Sequence, residues 1–165
     1  MDLGTAIIGL ICIAVCALPF VLTNNNKKKK QKELLNTLKD FAKKNGSEIT
    51  QHEIGENYAI GVDTSKNTVS FLQKTKEKVS LQFVNLTTIK NCEINNISKS
   101  LGKNETTLDK LILKLSAIDK KKPSIVLEFY NSDISFQPGN EFDSIEKWNK
   151  TINSLLISKQ QSKAA

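Results

Sequence analysis

The feature that most constrains this fold is an apolar run of twenty residues without a charged side chain, Leu3–Leu22. A helix rises about 1.5 Å per residue, so a run of this length matches the roughly 30 Å hydrocarbon core of a bilayer. The polar residues Asn24–Asn26 and a block of four lysines, Lys27–Lys30, follow at once. The pattern therefore predicts a transmembrane helix over residues 3–22 and one small soluble domain beyond it.

Two other interpretations of the run stay open, a cleaved secretory signal and a lipoprotein signal that ends at Cys16. The first residues include Asp2 and no basic residue, which disfavours a cleaved signal. Val15 is larger than the residue that usually precedes a lipidated cysteine. For a retained anchor, the lysine block predicts a single-pass protein of the cell membrane, with its N-terminus outside and its C-terminal domain in the cytoplasm.

Small residues recur along one helical stripe of the run, at Thr5, Gly9, Cys12 and Cys16. Small side chains allow two transmembrane helices to approach closely, so the stripe is a candidate homodimer face. The alternative is that any apolar helix of this length contains several small residues. The sequence does not decide between the two.

The net charge of +7 is unevenly distributed along the chain. Residues 27–44 carry eight lysines against Glu33 and Asp40, whereas residues 45–165 are close to neutral. The chain has no arginine, the side chain that makes bidentate contacts to phosphate and to guanine. The sequence therefore predicts no nucleic-acid partner and places the basic excess beside the predicted membrane span.

Residues 23–46 form a predicted basic juxtamembrane segment that contains an amphipathic helix over residues 31–44. Asn45 and Gly46 are suitable residues for its C-terminal end. This helix either lies on the lipid surface or packs on the soluble domain or on a second helix. The lysines expected at an anionic membrane surface are Lys27, Lys28, Lys29, Lys30 and Lys32.

After Gly46 the apolar period changes from 3.6 to 2, which predicts short strands in a mainly-β soluble domain, a small barrel or a sandwich. A polar and rather long connection is predicted over Lys99–Asp109. The predicted strands are Glu48–Glu53, Asn57–Asp63, Thr68–Lys74, Lys78–Asn85, Cys92–Ser98, Lys110–Ala117 and Ser124–Asn131.

The chain then returns to a helical pattern. Beyond the break at Gln137–Asn140, an apolar stripe that includes Trp148 predicts an amphipathic helix to about Ser158. Trp148 is expected to lie in the core. The last residues, 159–165, are predicted to form a flexible tail.

Seven short strands followed by one amphipathic helix with the chain's single Trp resemble a pleckstrin-homology-like (PH-like) domain. With the preceding span and basic segment, the chain resembles small bacterial single-pass membrane proteins of that type. The segments that carry the resemblance are Gly61–Leu72, Val84–Leu86 and Ile89–Glu93. The resemblance implies that residues 47–158 form a bent seven-stranded barrel closed by a C-terminal α-helix.

The sequence offers no recognisable catalytic, cofactor or metal site, so no enzyme activity and no cofactor are expected. His52 is the only histidine, and Cys92 is the only cysteine outside the apolar run. Neither has partners at a metal-ligand or nucleophile spacing. Cys92 is interpreted as a small buried residue, and Glu128 as a carboxylate that faces solvent.

Two binding hypotheses follow. In the first, the protein is a non-enzymatic, membrane-anchored interaction or scaffold module that offers a strand edge or the groove beside its helix to a protein partner. Ile134 and Phe136 are the candidate partner surface, unless both side chains tuck under the domain. In the alternative, the protein binds or senses anionic lipid through the basic segment and a rim of lysines. The rim lysines are Lys66, Lys74, Lys76 and Lys78.

Overall fold

The computed structural model describes residues 27–75, 77–100, 102 and 106–164, with only the backbone described over 159–164. Among the helices of this described chain, none is long and apolar enough to cross a bilayer. The structure therefore gives no support to the predicted transmembrane helix, whose residues 3–22 lie outside the described ranges. The predicted homodimer stripe at Thr5, Gly9, Cys12 and Cys16 lies outside them as well.

The described residues form a mainly-β domain with two helices. The first helix, α1, covers residues 27–44 of the described chain. A short 3₁₀ turn, Leu86–Thr88, separates β4 from β5. The remaining elements are β1 (Gln51–Ile54), β2 (Tyr58–Asp63), β3 (Thr68–Lys74), β4 (Val79–Asn85), β5 (Ile89–Ser100), β6 (Thr106–Ala117), β7 (Ile125–Asn131) and α2 (Glu141–Ala164).

The strands form two antiparallel sheets in sequential order, β1-β2-β3-β4 and β5-β6-β7. The predicted barrel closed by a helix is therefore wrong, because no strand pairing joins the two sheets within the described chain. The chain leaves the first sheet at Asn85, whose side chain caps the 3₁₀ turn by accepting from the N–H of Thr87. On β5, Asn153 of α2 hydrogen-bonds both the N–H and the C=O of Cys92. A side chain thus occupies part of the β5 edge that a closed barrel would need for pairing.

The main core lies between the two sheets and α2. Tyr58, Phe71 and Phe129 pack together there, with ring centroids 4.7–6.0 Å apart. Trp148 of α2 is buried in the same core, as the sequence predicts. Offset and tilted aromatic packing of this kind adds to the stabilisation from burial.

Helix α1 packs on the opposite face of the first sheet. Leu34 and Leu38 form a second buried cluster with Ala59 of β2 and Leu72 of β3. This contact settles the open question about the amphipathic helix in favour of packing on the domain, because its apolar face is covered by protein. The helix ends at Lys44 and is stopped by Gly46, which has φ +71° in a Schellman motif as expected for a glycine stop.

Each of the seven predicted strands has an observed counterpart, and the match for β3 is complete. The predicted long connection over Lys99–Asp109 is wrong, because β5 and β6 extend into it and pair as far as Ser100 and Thr106. Helix α2 also continues beyond Ser158, through the segment predicted as a flexible tail, to Ala164.

Candidate functional site

An open cleft of about 690 Å³ lies between the first turns of the two helices and the turn that joins β1 to β2. We call it the interhelix cleft. Lys27 and Lys30 line it from α1, Gly55 and Glu56 from the turn, and residues 139–141 from the start of α2. These segments are distant in sequence. They meet at the cleft because α1 packs on β2 and β3 of the first sheet, whereas α2 packs mainly along the second sheet and is tied to β1 through Glu53.

Glu53 at the end of β1 joins one wall of the cleft to α2. Its carboxylate accepts hydrogen bonds from the Ser144 hydroxyl, from Lys147 Nζ at 2.5 Å and from Trp148 Nε1 at 3.2 Å. Partial burial opposes ionisation of Glu53, but these bonds and the charge of Lys147 outweigh it and lower the pKa of the carboxyl group. Glu53 is therefore ionised at neutral pH and engaged in holding the domain together.

Tyr58 is buried beneath the turn that borders the cleft. A Cβ atom at Gly55 would lie 2.1 Å from the Tyr58 ring, so only glycine allows this close approach. Burial raises the pKa of Tyr58 to about 12, which keeps the phenol protonated at neutral pH. Because the ring is buried and lies directly under Gly55, it supports the turn that borders the cleft.

The start of α2 is organised by its own residues. The carboxylate of Glu141 accepts a hydrogen bond from the N–H of Gly139, and the N–H of Ser144 bonds to the C=O of Asn140. An acidic residue at this position is favoured by the helix dipole. The buried Glu141 is thus part of the helix start.

Phe136 lies in the loop that leads into α2, ahead of the cleft-lining Gly139, and is the most exposed of the large apolar side chains in the described chain, at 94%. The loop that carries it is anchored, because Asn57 Nδ2 donates to the hydroxyl of Ser135 at 2.9 Å. The Oδ1 atom of Asn57 lies 3.3 Å from Nζ of Lys30, so one side chain connects this loop to α1. Ile134, by contrast, is half-buried and lines a small separate pocket. The structure therefore turns one of the two predicted surface residues outward and the other inward.

The lysines predicted to form a basic rim do not all lie together: Lys74 and Lys78 share the β3–β4 end of the sheet, and Lys66 is at the opposite end of β3. Lys66 lies in the β2–β3 turn and donates to the C=O of Gly46, whereas Lys74 lies at the far end of β3, roughly 20 Å along the strand. Lys74 also pairs with Glu33 of α1 at 3.2 Å. Lys78 is exposed in the β3–β4 turn, and Lys76 lies outside the described residues.

Of the basic residues at the start of α1, Lys27 and Lys30 line the cleft. Lys28, Lys29 and Lys32 are exposed outside it. The structure thus divides the predicted membrane-surface cluster between the cleft and the open surface.

The other residues considered from the sequence, His52, Cys92 and Glu128, lie on three different strands. His52 is exposed on β1, and the described residues contain no group of acidic, His and Cys side chains that would hold a metal ion. Burial and the charge of Glu93 raise the pKa of Cys92 to about 12, so its thiol is unreactive at neutral pH. Glu128 is mostly shielded from solvent, contrary to its prediction, and accepts from Gln73 of β3 at 2.5 Å.

Sequence reasoning missed Glu53 and Ser144, which line the cleft, and Asn57, which anchors the loop of Phe136. Their partners are 78 to 95 positions away along the chain, with the exception of the Asn57 contact to Lys30. No local pattern marks such contacts. The only available signal was the unusual Gly55 next to a predicted strand end, which indicates a close approach.

No protein-family model, curated protein or solved structure matches this chain. The resemblance to PH-like membrane proteins therefore stays a prediction from the sequence.

Proposed function

We propose that this protein is a non-enzymatic interaction module that binds a segment of another protein across the interhelix cleft, with Phe136 as the apolar anchor. The observation that carries the proposal is the 94% exposure of this ring on an anchored loop that leads into the cleft-lining residues 139–141. Aromatic side chains supply much of the binding energy in protein interfaces, because a rigid ring buries a large area at low entropic cost.

The ionisable groups around the cleft favour binding over catalysis. Glu53 is paired with Lys147, and Glu141 is used at the start of α2. Lys27 and Glu56 are exposed at the rim and are available to hydrogen-bond a peptide backbone or polar side chains. The expected partner segment therefore has one aliphatic or aromatic residue for the Phe136 ring and a polar remainder.

The alternative function, binding to an anionic lipid surface, has less support. The apolar face of α1 is covered by β2 and β3 and is not available to enter a lipid layer. The rim of Lys66, Lys74 and Lys78 is split between the two ends of a strand. The geometry therefore weakens two of the features that motivated lipid binding, the free apolar face of α1 and the single continuous rim of lysines.

Photo-crosslinking from position 136 tests the proposal. A photoreactive residue at Phe136 should capture one discrete protein in cells, and the same residue at Ile118, an exposed apolar position in a distant turn, should not. Phe136→Ser should reduce affinity for the captured protein by about tenfold or more, the loss of one buried aromatic anchor. Its melting temperature should match that of the wild type. Equal affinity of wild type and Phe136→Ser would overturn the proposal.

A further inference from the structure

Strand β4 is an open edge of the first sheet. It pairs with β3 on one side, and the described chain provides no strand on its other side. The other three edges differ from β4: β1 is only four residues long and is tied to α2 through Glu53, β5 is contacted by Asn153, and β7 carries the charged Glu128 in its middle. Natural sheets usually protect an open edge with charges, proline or a bulge. Val79–Asn85 contains no charged residue and no proline, and its pairing with β3 has no register shift.

The outward hydrogen-bonding groups of β4 follow from its pairing with β3. The bonds from Thr75 N to Lys78 O and from Leu86 N to Asn67 O lie just beyond the two ends of the strand pair. Because bonded pairs alternate in an antiparallel ladder, Ser80, Gln82 and Val84 direct their backbone groups toward β3. Val79, Leu81 and Phe83 therefore direct theirs outward.

The side chains of the same strand leave apolar surface uncovered. Val79 is 47% and Leu81 is 37% exposed, on the face that carries α1. Phe83 is on this face too, edge-on to Phe41 of α1 with ring centroids 6.5 Å apart. An apolar strip thus continues from α1 to the open edge.

Gln82 provides an independent observation. In the described part of the chain, its Oε1 is the buried side-chain polar atom that has no hydrogen-bond partner. A buried acceptor without a partner is destabilising, so native structures usually supply one.

We propose that β4 pairs antiparallel with β4 of a second copy of this chain, in the register that places Gln82 opposite Gln82. In this register Leu81 lies opposite Phe83 of the other copy, and both residues have outward backbone groups that complete the ladder. The apolar residues of the strip then face one another across the two-fold axis. The two glutamine amides lie at a non-hydrogen-bonded position, where side chains are closest, and each amide supplies a donor for the other's oxygen.

The strand is complementary to itself, which favours a second copy as the occupant. A two-fold edge contact brings together no like charges within Val79–Asn85, because the strand has none. The pairing uses a face that is separate from the interhelix cleft, so it is independent of the proposed function. Homodimers with this arrangement are isologous, and each side contributes the same patch.

Disulfide crosslinking tests both the contact and its register. The full chain is prepared with Cys12 and Cys16 replaced by Ser, while the buried Cys92 is kept. Gln82→Cys should form a dimer on mild oxidation, because opposed Cα atoms at such a position lie about 4.5 Å apart. Ser80→Cys is the matched control: Ser80 faces Val84 of the other copy, which places the two thiols' Cα atoms about 13 Å apart. We expect about tenfold more covalent dimer from Gln82→Cys than from Ser80→Cys.

A second pair of variants covers the case in which Gln82→Cys does not fold. Co-expressed Leu81→Cys and Phe83→Cys chains should crosslink to each other, since these residues are opposed.

A charge on the strand tests the contact in the Gln82→Cys chain itself. Adding Leu81→Lys to this chain should abolish its dimer, whereas adding Ile118→Lys should not. Equal crosslinking at positions 80 and 82 in folded protein would overturn the proposal. Crosslinking of the Gln82→Cys chain to a different protein and not to its own copy would overturn it too.

Discussion

The indole Nε1–H of Trp148 donates to Oε2 of Glu53 across 3.2 Å, and so links the C-terminal helix to the first strand of the domain. The two residues are 95 positions apart. Lys147 bonds the same oxygen from its exposed side at 2.5 Å. This contact makes α2 an integral part of the domain.

Trimming Trp148 should be strongly destabilising. Trp148→Ala is expected to lower the free energy of unfolding by about 3–5 kcal/mol, because it leaves a cavity in the main core and removes a donor from Glu53. Trp148→Phe should cost less, since much of the apolar volume is kept. Urea denaturation followed by circular dichroism measures both. An unchanged melting temperature in Trp148→Ala would contradict the packing of α2 described above.

Stability should decrease in acid because of Asp63. This buried carboxylate accepts from Ser65 N and Oγ, Glu48 N, Lys66 N and Ser47 Oγ. Burial alone would raise the pKa of Asp63, but these bonds outweigh it and hold the pKa well below its ordinary value. The unfolded chain therefore binds the proton first. The stabilisation is complete above the unfolded pKa of about 3.9 and is lost as the pH falls toward the folded value.

Urea titrations of wild type and Asp63→Asn between pH 7 and pH 2 check this expectation. At pH 7 the variant should be less stable by about 1–3 kcal/mol, because an amide offers an N–H to groups that are already donors. The difference should narrow below about pH 4. Glu53→Gln, titrated in parallel, reports how much of the loss of stability in acid comes from the other carboxyl group with a lowered pKa. A difference that is constant with pH would show that the charge of Asp63 is not what stabilises the turn.

Asn153 should protect the edge of β5 from exchange with solvent. Its side chain accepts from Cys92 N at 3.3 Å and donates to Cys92 O at 2.9 Å. Asn153→Leu leaves both backbone groups without these partners, at a cost of about 1–3 kcal/mol. Hydrogen exchange measured by NMR should show faster exchange of the Cys92 amide, with little change at Leu113 in the centre of the sheet. Unchanged exchange at Cys92 would argue against this role.

The packing of α1 predicts a contrast between two neighbouring leucines. Leu38 is fully buried against the first sheet, whereas Leu35 is only half-buried. Leu38→Ala is expected to cost about 2–5 kcal/mol and Leu35→Ala clearly less, since a cavity forms only at the buried position. Thermal unfolding of the two variants compares them directly. Similar small losses would mean that α1 is not packed on the sheet in solution.

Strand positions were predictable because they depend on local alternation and on turn residues. Thr68–Lys74 was predicted to the residue, and Gly46 was correctly predicted to end α1. The pattern of α1 showed that the helix has an apolar face but not what that face covers. Only the structure shows that it lies on Ala59 and Leu72.

The errors concern relationships between distant segments. Whether β4 continues into a closed barrel depends on the direction of the chain after Asn85 and on Asn153, which approaches β5 from 61 residues away. The interhelix cleft depends in the same way on Glu53 and its partners on α2. Phe136 could be named from the sequence as an apolar loop residue, but its outward direction depends on how Ser135 is held by Asn57.

The burial of β2 along its whole length, from Tyr58 to Asp63, limits how this protein can vary. One side of the strand faces the main core. On the other side Ala59 lies against α1, a side chain at Gly61 would meet Ile49, and Asp63 is held by hydrogen bonds, so a change on either side disturbs a packed or bonded neighbour. A saturation mutagenesis map would show a continuous intolerant block there instead of the every-second-residue pattern of ordinary surface strands. A substitution in this strand therefore requires compensating changes in the main core or in the residues that cover its other side.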